Sequence, residues 1–146
     1  YASKNGFSHV ITMDSDLQHD PVKLIEFIQF DKNYNLVCGK RIMDKTMPLH
    51  RQISNKLTSW ILSKLCGQKI FDSQCGYRRY SVKSVLGVKF LEGGFQIESE
   101  VLIKLAKKGE SIGHVPIPTI YGNEKSSIKN VQDTFKFIML ILRSVW

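Results

Sequence analysis

The chain has 146 residues, of which 42% are hydrophobic, and 21 Lys and Arg stand against 13 Asp and Glu for a formal net charge of +8. That apolar content builds one packed core and excludes a disordered, collagen-like or disulfide-scaffold chain. Cys38, Cys66 and Cys75 are widely spaced and form no CxxC pair, so neither a zinc ribbon nor a disulfide framework is expected, and a reducing cytoplasmic setting fits.

In chain order, 1–6 reads as the end of a helix stopped by Gly6 and running straight into a strand, so the domain is expected to begin before this chain does. Residues 9–13 are the β-branched run of a buried strand that ends abruptly at Asp14 and Asp16. Asp20 before Pro21 predicts a helix N-cap, and Leu24, Ile25 and Ile28 predict a helix over about 21–30. A second strand is expected over 35–39, which makes a βαβ unit with a right-handed crossover. Ile53, Leu57, Trp60, Ile61 and Leu65 predict a helix ended by Gly67, and Ile97, Val101, Leu102 and Leu105 predict another ended by Gly109. Pro116 and Pro118 within 111–121 suit an edge strand or an extended segment. The fold class is α/β. One domain is expected over 1–130, followed over 131–146 by an apolar terminal helix that is either interfacial, the start of a membrane segment, or packed on the core. No apolar run approaches the ~20 residues that span a bilayer.

Two carboxylates one residue apart, just beyond a strand, are the first candidate for chemistry. Asp14 and Asp16 can hold a hard cation, Mg²⁺ or Mn²⁺, through oxygen ligands, at the strand end where open α/β sheets bind ligands. The alternative is a solvated acidic loop in which Asp16 or Asp20 caps the next helix. Glu98 and Glu100 open a helix, where carboxylates favour the positive end of the dipole; Glu98 either caps it or faces the site.

Met13-Asp-Ser-Asp-Leu-Gln-His-Asp-Pro21, Cys38-Gly-Lys-Arg41 and Asp72-Ser-Gln-Cys-Gly-Tyr-Arg78, followed by His114-Val-Pro-Ile-Pro118, Tyr121 and a Ser-Ser-Ile segment, resemble the second half of a family 2 glycosyltransferase over about 2–137. The resemblance is greater to the dolichyl-phosphate mannose synthase and polyprenyl-phosphate glycosyltransferase branch. It implies the GT-A fold, a Rossmann-like and mostly parallel sheet with flanking helices, here without the first, nucleotide-gripping βαβ unit. It also implies inverting transfer of a sugar from a nucleotide-sugar donor to a polyprenyl or dolichyl phosphate. A phosphate monoester is already ionised, so it needs positioning cations more than a strong base.

Carried over by position, the resemblance puts Asp14 and Asp16 at the metal and the donor diphosphate, with Gln18 as a further ligand or a partner of the ligands. Asp16 and Asp72 fall at the reaction centre, where Asp72 orients acceptor or sugar or acts as a base. Arg41 and Arg51 match acceptor-phosphate positions, to which Ser54 or Asn55 would add a hydrogen bond. Arg78 reaches a phosphate or pairs with Asp72, and Lys125 belongs to a loop over the acceptor. His19 stands beside the acidic pair as a neighbour. Expected partners are the donor, the lipid acceptor and a membrane surface, with a homodimer through an unpaired sheet edge as a further expectation. The protein is expected at the cytoplasmic face of a membrane, peripheral or anchored. This chain alone is expected to bind nucleotide poorly and to transfer no sugar.

Two other readings remain. One keeps the GT-A fold and changes the acceptor to a protein, saccharide or glycerol-type group, although the Gln-x-x-Arg-Trp signature of processive synthases is lacking. The other is a basic α/β module that binds RNA or an anionic membrane without catalysis. No RNP-like, zinc-finger or helix-turn-helix signature supports nucleic acid as a partner.

Overall fold

The computed structural model describes residues 1–42, 47–92, 94–118 and 130–145. Four strands, β1 (His9–Thr12), β2 (Leu36–Arg41), β3 (Arg78–Ser81) and β4 (Ile112–Ile117), form one mixed sheet in the order β1-β3-β2-β4. β3 is antiparallel to both β1 and β2, while β2 and β4 run parallel. The expected βαβ unit is therefore split: β1 and β2 point the same way but flank β3 instead of each other. β4 lies at a sheet edge, where Pro116, paired with Lys40, is exposed and its missing N–H costs no ladder bond. β1 is the other edge among the described residues and alternates half-buried and exposed, so the fully buried strand expected there is corrected.

β3 was not legible as a strand, because Arg-Arg-Tyr-Ser shows no apolar alternation. It nevertheless occupies the sheet interior, since both guanidinium groups are consumed by backbone carbonyls on opposite faces. Arg78, with no exposed surface, donates to the carbonyls of Ser73, Cys75 and Glu98 at 2.8 Å each. Arg79 donates to those of Phe27, Phe30, Asp31 and Tyr34 at 2.7–3.1 Å. It thereby closes the carboxyl end of α1 (Leu24–Gln29), a helix entered through a 3-10 turn over Pro21–Lys23 that Asp20 caps by accepting from the Val22 N–H at 2.9 Å.

One face of the sheet packs Leu36 and Cys38 against Leu62 of α2 (Leu49–Cys66), Leu102 and Leu105 of α4 (Ile97–Lys107) and Leu140 of α5 (Asn130–Val145). The other face packs Val37, Val115 and Ile117 with Phe27 of α1, whose ring stacks on Tyr77 at 4.3 Å. A short helix α3 (Val82–Val85) continues from β3. Gly67 and Gly109 follow α2 and α4 with φ of 62° and 78°, the left-handed conformation that glycine adopts without strain.

α2 exists where apolar periodicity predicts it, but only part of the predicted stripe faces inward: Leu65 packs on the core and Ile61 is half-buried. Ile53, Leu57 and Trp60 point outward, while the buried residues of α2 are Asn55, Ser59 and Leu62. Of the residues of α5, Phe137, Leu140 and Ile141 pack on the core, and Phe135, Ile138 and Leu142 are exposed. Among the described residues no helix is long and apolar enough to cross a membrane.

Candidate active site

The loop 72–77 enters β3 and ties the candidate residues together. Its first residue, Asp72, is fully buried and its carboxylate is saturated. Oδ2 accepts from the Arg41 Nε at 2.7 Å and the Arg41 backbone N–H at 3.2 Å. Oδ1 accepts from Arg41 Nη2 at 3.0 Å, Asn55 Nδ2 at 2.7 Å and the Gln74 N–H at 3.2 Å. Burial raises the pKa of this carboxyl, but the Arg41 fork and Asn55 outweigh that and hold it below the usual carboxylate range. An anion with every lone pair engaged is a poor proton acceptor. The geometry thus makes Asp72 the anchor that orients Arg41.

Asn55 reaches Asp72 because α2 turns a polar ladder inward. The Ser59 hydroxyl donates to Asn55 Oδ1 at 2.9 Å and accepts from the Ser73 N–H at 3.0 Å; Ser63 accepts from the Ile70 N–H at 2.8 Å. Sequence reasoning missed Ser59 and Ser63, although Asn55, Ser59 and Ser63 recur every fourth residue, which places them on one helix face. Ser54 is exposed, and Arg51 lies half-buried in the first turn of α2. Arg78 is buried on three carbonyls and braces the 73–75 backbone against the start of α4. Lys125 lies outside the described residues.

At the other end of the same loop, Gly76 makes room for Asp14. A Cβ on Gly76 would stand 2.5 Å from both Asp14 carboxylate oxygens, so this half-exposed carboxylate rests directly on the glycine backbone. Thr12 donates to the Gly76 carbonyl at 2.8 Å and fixes the approach. Asp16 is exposed and its Oδ1 accepts from the Gln18 N–H at 3.1 Å, a tight turn that leaves Leu17 at φ 64° with its side chain 81% exposed. A β-carbon residue held in that conformation stores of order 1 kcal/mol of strain.

His19 is buried behind the acidic pair, with Nδ1 3.9 Å from Asp14 Oδ2 and without a hydrogen-bond partner, and Nε2 3.8 Å from Cys75 Sγ. Burial lowers its pKa, against the pull of Asp14 and Asp16, and burial pushes the Cys75 thiol up to about 12. The pair is therefore a neutral imidazole beside a thiol, which suits packing and not nucleophilic chemistry. Glu98 lines a cavity of about 600 Å³ with Asp14, Gly76, Val10, Tyr80 and Phe90. Burial, opposed by Arg78 and reinforced by Asp14, raises the Glu98 pKa to about 7.

Among the described residues no three His, Cys, Asp or Glu side chains gather as metal ligands. Asp14 and Asp16 alone fit a cation that takes one or two protein carboxylates and fills its other positions with water and phosphate oxygens, as Mg²⁺ does. The glycine cradle under Asp14 is the structural mark of that fit.

Comparison with known proteins gives this arrangement its relatives. No protein-family model matches the chain. An uncharacterised protein of Methanocaldococcus jannaschii is 33% identical over 154 residues, covering 94% of this chain and 66% of that protein. UDP-N-acetylglucosamine–dolichyl-phosphate N-acetylglucosaminyltransferase of Methanococcus voltae is 34% identical over 147 residues, with 94% and 58% covered. Glucosyl-3-phosphoglycerate synthase from Mycobacterium tuberculosis, solved with UDP, superposes with a TM-score of 0.69 at 15% identity over 94% of this chain and 50% of that one, a likeness of fold. The sheet and its flanking helices are those of a GT-A glycosyltransferase. In sequence the chain is similar to named glycosyltransferases, in keeping with its resemblance to family 2. It spans 66% and 58% of the length of these two curated relatives.

Proposed function

We propose that the protein containing this chain transfers a sugar from a nucleotide-sugar donor to a polyprenyl phosphate, with inversion at the anomeric carbon. The name of the Methanococcus voltae relative, a dolichyl-phosphate transferase, supports the acceptor class. The observation that carries the reading is the loop 72–77, which seats Asp14 on Gly76 at one end and locks Arg41 on Asp72 at the other. On this reading the donor diphosphate would be held through a cation at Asp14, and the acceptor phosphate would meet the guanidinium of Arg41.

Asp14 and Asp16 would hold Mg²⁺ or Mn²⁺, which supplies charge compensation to the departing diphosphate. Arg41, oriented by Asp72 and Asn55, presents a fork suited to phosphate geometry, and Arg51 adds a second cation on α2. Their work is to align an acceptor that is already ionised. No proton need be removed from it, in keeping with the engaged lone pairs of Asp72.

The test is transfer of labelled sugar from UDP- and GDP-sugars to an organic-extractable polyprenyl phosphate, assayed with the complete gene product and with this chain. Asp14→Asn and Asp16→Asn should each lower turnover by at least about 100-fold, the scale of a lost electrostatic contact to the transition state. Gly76→Ala, which displaces the Asp14 carboxylate, should mimic them while the fold persists. Undiminished turnover in Asp14→Asn, or the same rate with and without chelator, overturns the metal-site reading.

A further inference from the structure

α2 is inverted in polarity. Its inner face spends Asn55, Ser59 and Ser63 on hydrogen bonds to Asp72, Ser73 and Ile70, while its outer face shows Leu49, Ile53, Leu57 and Trp60 to solvent at 70%, 57%, 54% and 61% exposure. The spacings of 4, 4 and 3 residues align these four side chains along one stripe more than two turns long. Scattered exposed leucines are ordinary, but an aligned stripe with a large aromatic on the solvent side of a helix marks a contact surface.

We propose that this outer face of α2 is the surface by which the enzyme lies on an anionic lipid bilayer, an inference that rests on the lipid-acceptor reading above and names its partner. Charge and residue type select the occupant. Lys56 flanks the stripe and Lys64 continues it toward the carboxyl end, both exposed, in a chain of net charge +8. Lysines beside an apolar stripe complement phospholipid headgroups, and tryptophan favours the headgroup boundary, where its ring is buried and its N–H stays wet. A second copy of the chain is the poorer fit, since a twofold contact through this face would bring Lys56 and Lys64 close to their own copies. The arrangement also answers a need of the chemistry. The helix that touches lipid on one side holds Asn55 against Asp72 on the other, so an acceptor headgroup drawn from the bilayer meets the cation-lined end of the cleft without leaving the membrane surface.

Vesicle binding tests this without donor, metal or turnover, so its failure and the failure of the transferase reading are separable. In the Trp146→Phe chain Trp60 is the sole tryptophan, because the sequence holds two. Added to phosphatidylcholine vesicles containing phosphatidylglycerol, it should co-sediment, with Trp60 emission shifting to the blue and quenched by brominated lipid. Leu57→Gln with Ile53→Gln should weaken partitioning by about tenfold or more, with an unchanged far-ultraviolet spectrum, as befits exposed positions. Lys56→Glu with Lys64→Glu should weaken binding to anionic vesicles and leave the weak binding to neutral ones as it was. Unshifted Trp60 emission, partitioning indifferent to the glutamine pair, or a dimer that the same pair dissociates would each overturn the proposal.

Discussion

Glu98, half-buried, and Asp72, fully buried, are carboxyls of opposite tendency. Asp72 is held ionised by Arg41 and Asn55, whereas burial keeps Glu98 protonated up to about pH 7. A carboxyl whose folded pKa exceeds its unfolded value contributes stability below the unfolded value and loses it as pH rises through the folded one. Glu98 thus destabilises the fold progressively between about 4.5 and 7. Glu98→Gln is expected to be more stable than the parent by roughly 3 kcal/mol at pH 8, with the difference vanishing below pH 4.5; denaturant titrations at the two pH values measure it. At this scale the motif residues Asp14, Arg41 and Asp72 lie on one continuous structure joined by the loop 72–77, while Asp16 turns back onto the Gln18 N–H. For Arg78 the motif suggested a phosphate or Asp72 as partner, because nothing local announces three carbonyls waiting for it.

Among the elements, β3 and α2 show why the rest went unread. Strand prediction listens for apolar alternation, and β3 offers two arginines whose burial becomes intelligible only once the carbonyls of α1 and of the loop 73–75 are in place. Arg79→Leu tests that account: it removes four hydrogen bonds from the end of α1 and leaves those carbonyls unmet, so a loss of about 3–5 kcal/mol is expected by chemical denaturation. An Arg79→Lys chain should recover only part of it, since one ammonium cannot span four acceptors. For α2 the length and the glycine stop were readable, and its orientation was not. Periodicity finds an apolar stripe and assumes that the stripe faces inward, whereas here Asp72 draws the polar side toward the core.

Across the whole molecule, the titrating groups oppose one another. Burial, with Lys40 close by, lowers the His114 pKa to about 4, and an imidazole kept neutral in the fold loses stability as pH falls from its ordinary value near 6.5. Between about 4.5 and 6.5 that loss runs against the gain from Glu98. His19 and His9, also lowered by burial, add to the loss, so the thermal midpoint of the parent chain is expected to fall gently toward acid over this window, with Glu98 blunting the slope. Below about pH 4 it should fall steeply, because Asp72 and Glu100, both depressed, begin to lose their contributions as well. Glu100, buried, accepts from the backbone N–H groups of Leu91 and Glu92 and pairs with Lys104 at 2.6 Å. Calorimetric scans from pH 3 to 8 check both limbs, and a midpoint that climbs continuously toward acid would contradict the signs assigned.

The serine and asparagine ladder of α2 has a mechanical side. Hydrocarbon contacts tolerate rolling and sliding, but Asn55, Ser59 and Ser63 grip their partners along fixed directions. Torque applied at Trp60 cannot be absorbed by spinning the helix about its own axis; it passes as a rigid displacement to Asp72 and on to the guanidinium of Arg41. α2 is in that sense a stiff pushrod, with one end of its travel at the outer surface and the other at Arg41.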